Sequence, residues 1–291
     1  MATVGFFDGV HVGHRYFIRE MQQLAGERGL KTAIFTFPVH PRIVLEAGYQ
    51  PKLLNSLDER LKLLATTGVD YCVVMDFTPE LAACSAYDFI VKNLSQQWQV
   101  RSLLIGYDHR FGHNRTDGFD EYVEYGKSCG MEILRTSSYN RKERAVSSSQ
   151  IRQLLLERRV EEAARLLTYP YRLKGYVVRG RQEGRKMGFP TANLDIENSC
   201  KVWPGMGVYA VWVYVGKAHY KGMLAIGTRP TMGGEQVSVE VHLLHFSETI
   251  YQKSVEVEFM YYLRENIKFE TPEALKAQLD KDRLRVEELL K

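Results

Sequence analysis

Near the start of the chain, "GFFDGVHVGH" (Gly5 to His14) sets glycines, an aspartate and two histidines directly after a short strand-like opening. His11 and His14 flank Gly13 at a spacing of three, so in a strand-to-helix turn both imidazoles can face one side and donate to phosphate oxygens. Gly5 and Gly13 permit close backbone approach, and the unpaired N–H groups of a starting helix attract an anion. Asp8 reads equally well as a turn former bonded to its own backbone. The chemistry suggested is the holding of a nucleotide's phosphates.

A second set of candidates lies far downstream. In "FPTANL", Thr191 and Asn193 are two apart, so on a strand they face the same way. Two neutral oxygens make a poor cage for a hard cation by themselves, although Mg²⁺ commonly takes few protein ligands and completes its shell with water and substrate phosphates; the default reading is a Pro-Thr turn entering a polar strand edge. Gly180, Gly184 and Gly188, interleaved with Arg179, Arg181, Arg185 and Lys186, form a basic loop suited to covering ADP or ATP, or simply an exposed hairpin. In "VSVEVHLL", Glu240 lies on the face opposite Val237, Val239 and Val241, where a solvated glutamate is the default.

The elements that must position these residues follow from hydrophobic period. "ATVGFF", "KTAIFTF", "DYCVVMDF", "RSLLIG" and "MEILRT" read as strands. Between them "HRYFIREMQQLAGERG", "SLDERLKLLATTG", "SAYDFIVKNLSQQW" and "DEYVEYGKSC" read as helices, the second with Ser56 as N-cap and Gly68 as stop. Alternation of this kind predicts an α/β domain with a parallel sheet and ligands at the carboxyl ends of its strands. "SSSQIRQLLLERRVEEAARLL" predicts two further helices. From Tyr171 to about Leu263 the texture turns to Val, Tyr and Trp punctuated by Gly and Pro, which predicts an antiparallel β-barrel closed by a helix over "TPEALKAQLDKDRLRVEELLK".

The chain has 291 residues, 45% hydrophobic and 25% charged, so two globular domains are expected. A net charge of +4 is mild and fits anionic small ligands better than a nucleic-acid groove. The four cysteines, Cys72, Cys84, Cys129 and Cys200, lack the spacing of a zinc site or a disulfide framework, which points to a reducing, cytoplasmic setting. No apolar run is long enough to span a membrane, and the first residues do not read as a leader.

"GFFDGVHVGH" resembles the nucleotide-binding signature of the nucleotidylyltransferase superfamily, which synthetases and other adenylyltransferases share in part. "GYDHRFG" (Gly106 to Gly112), "VSSSQIR" (Val146 to Arg152) and "GRKMGFPTANL" (Gly184 to Leu194) are similar, in order, to segments of the bifunctional bacterial riboflavin kinase/FAD synthetase family. The likeness continues through "GVYAVWV", "AIGTRPTMGG", "VEVHLLHF" and "VEFMYYLRENIKF".

This resemblance implies a Rossmann-like nucleotidylyltransferase domain at 1–168 and a flavokinase β-barrel domain at 169–291. It implies phosphorylation of riboflavin to FMN by ATP, then adenylylation of FMN to FAD, with Mg²⁺ as cofactor. In the first domain it assigns ATP binding to Gly5, Phe6, Asp8, Gly13, Asp108, Ser148, Ser149 and Arg152, with His11 and His14 catalytic. In the second it assigns Gly180, Gly184, Arg185 and Gly188 to ATP, Thr191 and Asn193 to the metal, and Glu240 to proton acceptance from riboflavin's terminal hydroxyl. By themselves, Ser148, Ser149 and Arg152 read as a serine-rich cap followed by a surface arginine. Ser149 stands where a threonine is common, His109 where a phenylalanine is common, and "FPVHP" departs from Phe-Glu-Pro-His-Pro, so Pro38 and His40 are given no role beyond a wall of the flavin pocket.

Small molecules are the expected partners, with no nucleic acid, membrane or obligatory protein partner. Two rivals remain at the level of sequence. A different adenylyltransferase explains "HVGH" but not the second half, and an aromatic-rich β-barrel binding single-stranded nucleic acid lacks a separate stacking platform, because the aromatics of "YAVWVYV" alternate with valines as core residues do.

Overall fold

A computed structural model describes residues 1–46, 48, 50–107, 110–113, 116–136, 146–180, 184, 188–197, 200–231 and 234–291, except the side chains of 229–231 and 234–236. Its internal contacts divide the chain into two compact units, Met1–Ser148 and Ser149–Lys291.

The first unit is a five-stranded parallel sheet in the order β3-β2-β1-β4-β5. Its strands are β1 (Ala2–Val4), β2 (Ala33–Thr36), β3 (Tyr71–Val74), β4 (Ser102–Ile105) and β5 (Glu132–Arg135), each inside a segment whose apolar run predicted it. β1 is central, so its carboxyl end opens between β2 and β4 at the point where the strand order reverses, the usual ligand crevice of such sheets. α1 (Val12–Glu27) follows β1 directly and buries Ile18, Met21 and Ala25 on one face. α3 (Leu57–Ala65) starts at Ser56, whose hydroxyl accepts from Glu59 N–H while the Glu59 carboxylate accepts from Ser56 N–H, the reciprocal cap expected of this spacing. Gly68, at φ +79°, then takes a left-handed conformation that terminates the segment. α6 (Phe119–Cys129) ends in the same way at Gly130.

Two features differ from the expectations of sequence. Short helices α2 (Pro41–Leu45) and α4 (Pro79–Ala82), each opened by proline, lie in stretches to which the sequence pattern assigned no element. The third predicted helix begins as α5 (Ala86–Asp88) but continues as a π-helix over Phe89–Gln97, and this wider winding buries Phe89, Ile90, Val91 and Leu94 together.

In the second unit, α7 (Ser148–Leu156, beginning at the last residue of the first unit) and α8 (Val160–Leu167) precede a closed antiparallel barrel ordered β10-β7-β6-β11-β8-β9. The strands are β6 (Tyr171–Val178), β7 (Ala192–Ile196), β8 (Gly207–Val215), β9 (Ala218–Thr231), β10 (Gly234–Leu243) and β11 (Ser254–Arg264). Strict alternation of burial along β6 puts Tyr171, Leu173 and Val177 inside. α9 (Pro272–Leu289), capped by the Thr271 hydroxyl, lays Val286 and Leu279 against Ala210, Met223 and Leu244 on the outside of the barrel. The ion pair of partly buried Arg264 with buried Asp282, Nη2 to Oδ2 at 2.7 Å, ties α9 to the end of β11.

Candidate active sites

In the first unit, the turn between β1 and α1 is strained. Phe7 (φ 55°), Gly9 (φ 85°) and Val10 (φ 37°) all have positive φ, and for a β-branched valine this is an outlier of the kind that clusters at functional sites. A Cβ at Gly5 would run into the ring of Phe7, so this position needs glycine. His11 is the N-cap of α1, and its carbonyl accepts from Arg15 N–H, leaving the amides of Val12, Gly13 and His14 as the open donors of the helix start among the described residues.

The His11 and His14 rings stack at 3.7 Å with 18° between planes, as the sequence spacing proposed. Burial, reinforced by His11, pushes the pKa of His14 well below 6.5, so its imidazole is neutral. Its Nδ1 is buried without a hydrogen-bond partner among the described residues. An incoming phosphate would supply what this atom lacks and favour the protonated ring.

Asp8, which the resemblance assigns to the nucleotide, also holds the turn together. Its buried carboxylate accepts from the amides of Leu54 (3.0 Å) and Asn55 (3.2 Å), anchoring the segment before α3. Its carbonyl accepts from Ser148 Oγ at 2.9 Å, which brings Ser148 to the turn. Ser149 and Arg152 lie on α7 in the second unit, with Arg152 Nη1 donating to Ser149 Oγ at 3.3 Å. Asp108 and His109 lie outside the described residues.

Phe6 is held between two groups. The fully buried Arg60 guanidinium sits 3.9 Å from its ring centre, and the His40 ring meets it edge-on at 4.8 Å. Arg60 Nη2 also donates to the Phe37 carbonyl. Burial lowers the Arg60 pKa to about 10, which leaves it charged at neutral pH. Sequence reasoning missed this residue, because an arginine in an amphipathic helix ordinarily faces water. It also missed an apolar cavity of about 150 Å³ beside the end of β1, lined by Val4, Phe37, Phe77, Leu81, Phe89 and Phe111 among others.

In the second unit, the β7–β10 register sets Asn193 directly opposite Glu240. Thr191 Oγ1 donates to Glu240 Oε2 at 3.3 Å, so the three residues predicted to carry metal and base are neighbours. Asn193 is buried, and its Oδ1 has no hydrogen-bond partner among the described residues. Gly180 is explained by the same side chain, since a Cβ there would collide with the Asn193 amide. A Cβ at Gly184 would strike the Phe189 carbonyl, and Gly188 has φ +84°. Arg185 lies outside the described residues.

Proline has no N–H for the sheet ladder, and the described β7–β10 pairing stops at Ala192 opposite Val241. The His242 imidazole satisfies the Pro190 carbonyl instead, with Nδ1 at 2.8 Å. Burial lowers the His242 pKa, so a neutral ring with Nδ1–H as donor fits this contact.

Two cavities flank the Thr191–Glu240 contact. One of about 330 Å³ is lined by Thr191 and by Val177, Leu243, Ile250 and Tyr251. The other, of about 550 Å³, is lined by Glu240 with Ser238, Asn266 and Arg158. A donor nucleotide in the first and an acceptor in the second would meet at the oxygens of Thr191, Asn193 and Glu240.

Known proteins match on the same division. The FAD synthetase family matches residues 1–150 and the riboflavin kinase family residues 167–290. A bifunctional riboflavin kinase/FMN adenylyltransferase of Listeria monocytogenes is 36% identical over 96% of this chain and 89% of its own. Its counterpart in Escherichia coli is 35% identical over 98% and 91%. A crystal structure from Streptococcus pneumoniae, described as a macrolide-efflux protein, shares the fold with a TM-score of 0.88 and 29% identity over 98% of this chain and 93% of that one. Among the described residues no helix is long and apolar enough to cross a membrane. Matched in both halves and along nearly its whole length, the chain belongs to the bifunctional riboflavin kinase/FMN adenylyltransferase family.

Proposed function

We propose that this protein makes both flavin cofactors: it phosphorylates riboflavin to FMN with ATP, then transfers AMP from a second ATP to FMN, giving FAD and pyrophosphate. The observation that carries the kinase half is the meeting of Thr191, Asn193 and Glu240 between two cavities. The apolar cavity beside Thr191 suits an adenine base, and the one holding Glu240 suits the flavin. Glu240 accepts the proton of the terminal hydroxyl as its oxygen attacks the γ-phosphorus and ADP departs. Thr191 Oγ1 and the buried Asn193 Oδ1 are hard oxygen donors that fit Mg²⁺, which when bound neutralises phosphate charge. Gly180, Gly184 and Gly188, with Arg185, belong to the loop assigned to the nucleotide phosphates.

In the adenylyltransferase half, an FMN phosphate oxygen attacks the α-phosphorus and pyrophosphate leaves. The nucleophile already carries its charge, so positioning and donors do the work. His11, His14 and the first amides of α1 hold the ATP phosphates, Gly5 and Phe6 shape the turn, and Ser148, Ser149 and Arg152 take the outer phosphates. Asp8 serves by fixing the turn and the segment at Leu54–Asn55. The aromatic cavity beside β1 receives the flavin ring. The adenylyltransferase domain is assigned to residues 1–168 and the kinase barrel domain to 169–291, and the chemistry requires only small molecules, with no nucleic acid, membrane or obligatory protein partner, in a reducing cytoplasm.

Incubation with riboflavin, ATP and Mg²⁺, followed by chromatographic separation of flavins, is expected to yield FMN and then FAD. Absence of both products would overturn the proposal.

A further inference from the structure

The connection between the two family matches, residues 151–166, is claimed by neither. It nevertheless sends one side chain into the cavity that holds Glu240, that of Arg158. α7 ends in a specific way: Arg158 N–H donates to the Leu155 carbonyl (3.0 Å) and Arg159 N–H to the Leu154 carbonyl (2.9 Å). This is the paired closing pattern in which the residue at the position of Arg158 is left-handed and usually glycine. Arg158 has φ +68°, a conformation that burdens any residue with a Cβ.

A purely structural end to this helix would be better served by glycine. The ion pair with Glu265 does not explain the strain, because Glu265 is 75% exposed and such pairs contribute little. What the arginine adds is a guanidinium fixed in the cavity wall. Its Nη1 donates to Glu265 Oε1 (2.7 Å) and to the Tyr262 hydroxyl (3.1 Å), both at the end of β11. Both bonds leave from Nη1, and Nε and Nη2 make no hydrogen bond among the described residues. The joint is also anchored to the barrel: Gly205 N–H donates to the Leu155 carbonyl at 2.9 Å, and a Cβ at Gly205 would collide with the Leu156 carbonyl. Met206, the next residue, lines the same cavity.

We propose that Arg158 is a flavin-binding residue of the kinase half, its guanidinium donating to an acceptor oxygen of riboflavin in the Glu240 cavity. This rests on the reading of that cavity as the acceptor site. A segment that looks like a linker thereby belongs to the kinase site.

The test uses the full chain and the variants R158G and R158K. Glycine suits the left-handed position, so R158G removes the guanidinium without burdening the backbone, and its melting temperature is expected to equal or exceed that of the unmutated chain. Its KM for riboflavin in FMN formation is expected to rise about 10-fold or more, as for a lost charge-assisted hydrogen bond, while its KM for ATP stays within about twofold. R158K, with a point charge in place of the fork, is expected to fall between the two. An unchanged riboflavin KM in R158G, or riboflavin and ATP KM values rising together with a lowered melting temperature, would overturn the inference. An unmutated chain that forms no FMN would instead overturn the kinase reading on which it rests.

Discussion

In the first unit His11 and His14 belong to one continuous stretch, and a strained turn plus a helix start suffice to bring them together. In the second, Thr191 and Glu240 are 49 positions apart and meet only because β7 and β10 pair in one register. The first arrangement presents backbone amides and imidazoles, groups suited to gripping phosphate. The second presents side-chain oxygens from facing strands, suited to a cation and a proton. Their vulnerabilities differ accordingly: the turn depends on conformations that few residues tolerate, whereas a slip of one residue in the ladder would turn Glu240 to the opposite face.

If the two sites are chemically independent, single substitutions should separate them. The largest effect is expected for Glu240→Gln, which keeps the shape and removes the proton acceptor. FMN formation should fall by about 10²- to 10⁴-fold, while FAD formation from supplied FMN stays near normal; equal loss of both rates would deny the separation. His14→Ala is the converse. It should slow FAD formation by about 10²- to 10³-fold, the usual loss of one preorganised donor, with FMN formation unaffected, and full FAD synthesis by the folded variant would reduce His14 to a packing residue.

A smaller effect sharpens the account of the second site. Gly180→Ala places a methyl group against the Asn193 amide. Displacement of that side chain should raise the half-saturating Mg²⁺ concentration for FMN formation by about 10-fold, and a Mn²⁺ titration followed by electron paramagnetic resonance should show the same loss of affinity. Unchanged Mn²⁺ binding would remove Asn193 from the metal site.

The smallest effect separates the units by pH. His14 and His242 both have folded pKa values lowered by burial, His14 by more. The unfolded chain therefore takes up protons that the folded chain refuses. The associated stability is present above the unfolded value of about 6.5 and is lost as pH falls from there towards each folded value, by at most about 1.4 kcal/mol per pH unit for each histidine. Thermal unfolding between pH 7.5 and 5.5 should show a shallower decline for His14→Gln than for the unmutated chain, and identical slopes would contradict the buried neutral ring.

What was legible in the sequence follows the same division. Ser56 with Glu59, Gly68 and the His11–His14 spacing act within a few residues, so the caps, the stop and the imidazole pair were read directly. The five parallel strands carry apolar runs that announce them, and the alternation of β6 does the same for the barrel. Resemblance supplied Thr191, Asn193 and Glu240 as a group, because local pattern favoured a structural reading of each. The π-helical winding at Phe89–Gln97 was hidden, since its apolar residues also satisfy an α-helix. The cavity beside β1 draws its aromatic wall from separated segments, and Arg60 is inverted, a charged residue beneath Phe6 where a core residue is the rule. Arg158 stands where glycine ordinarily closes a helix, and no periodic pattern marks that exception.

Asp8 has a consequence for the order in which the protein comes into being. Its carboxylate waits for amides 46 and 47 positions downstream, and its carbonyl for a hydroxyl 140 positions downstream. Synthesis runs from the amino terminus, so the nucleotide turn leaves the ribosome well before the partners that complete it. The bonds that Asp8 makes beside Phe7 and Val10 await those distant partners, and β1 cannot occupy the centre of its sheet before β4 has been made. Nascent chains released before residue 148 would therefore carry the whole histidine motif and still lack the hydroxyl that closes its turn.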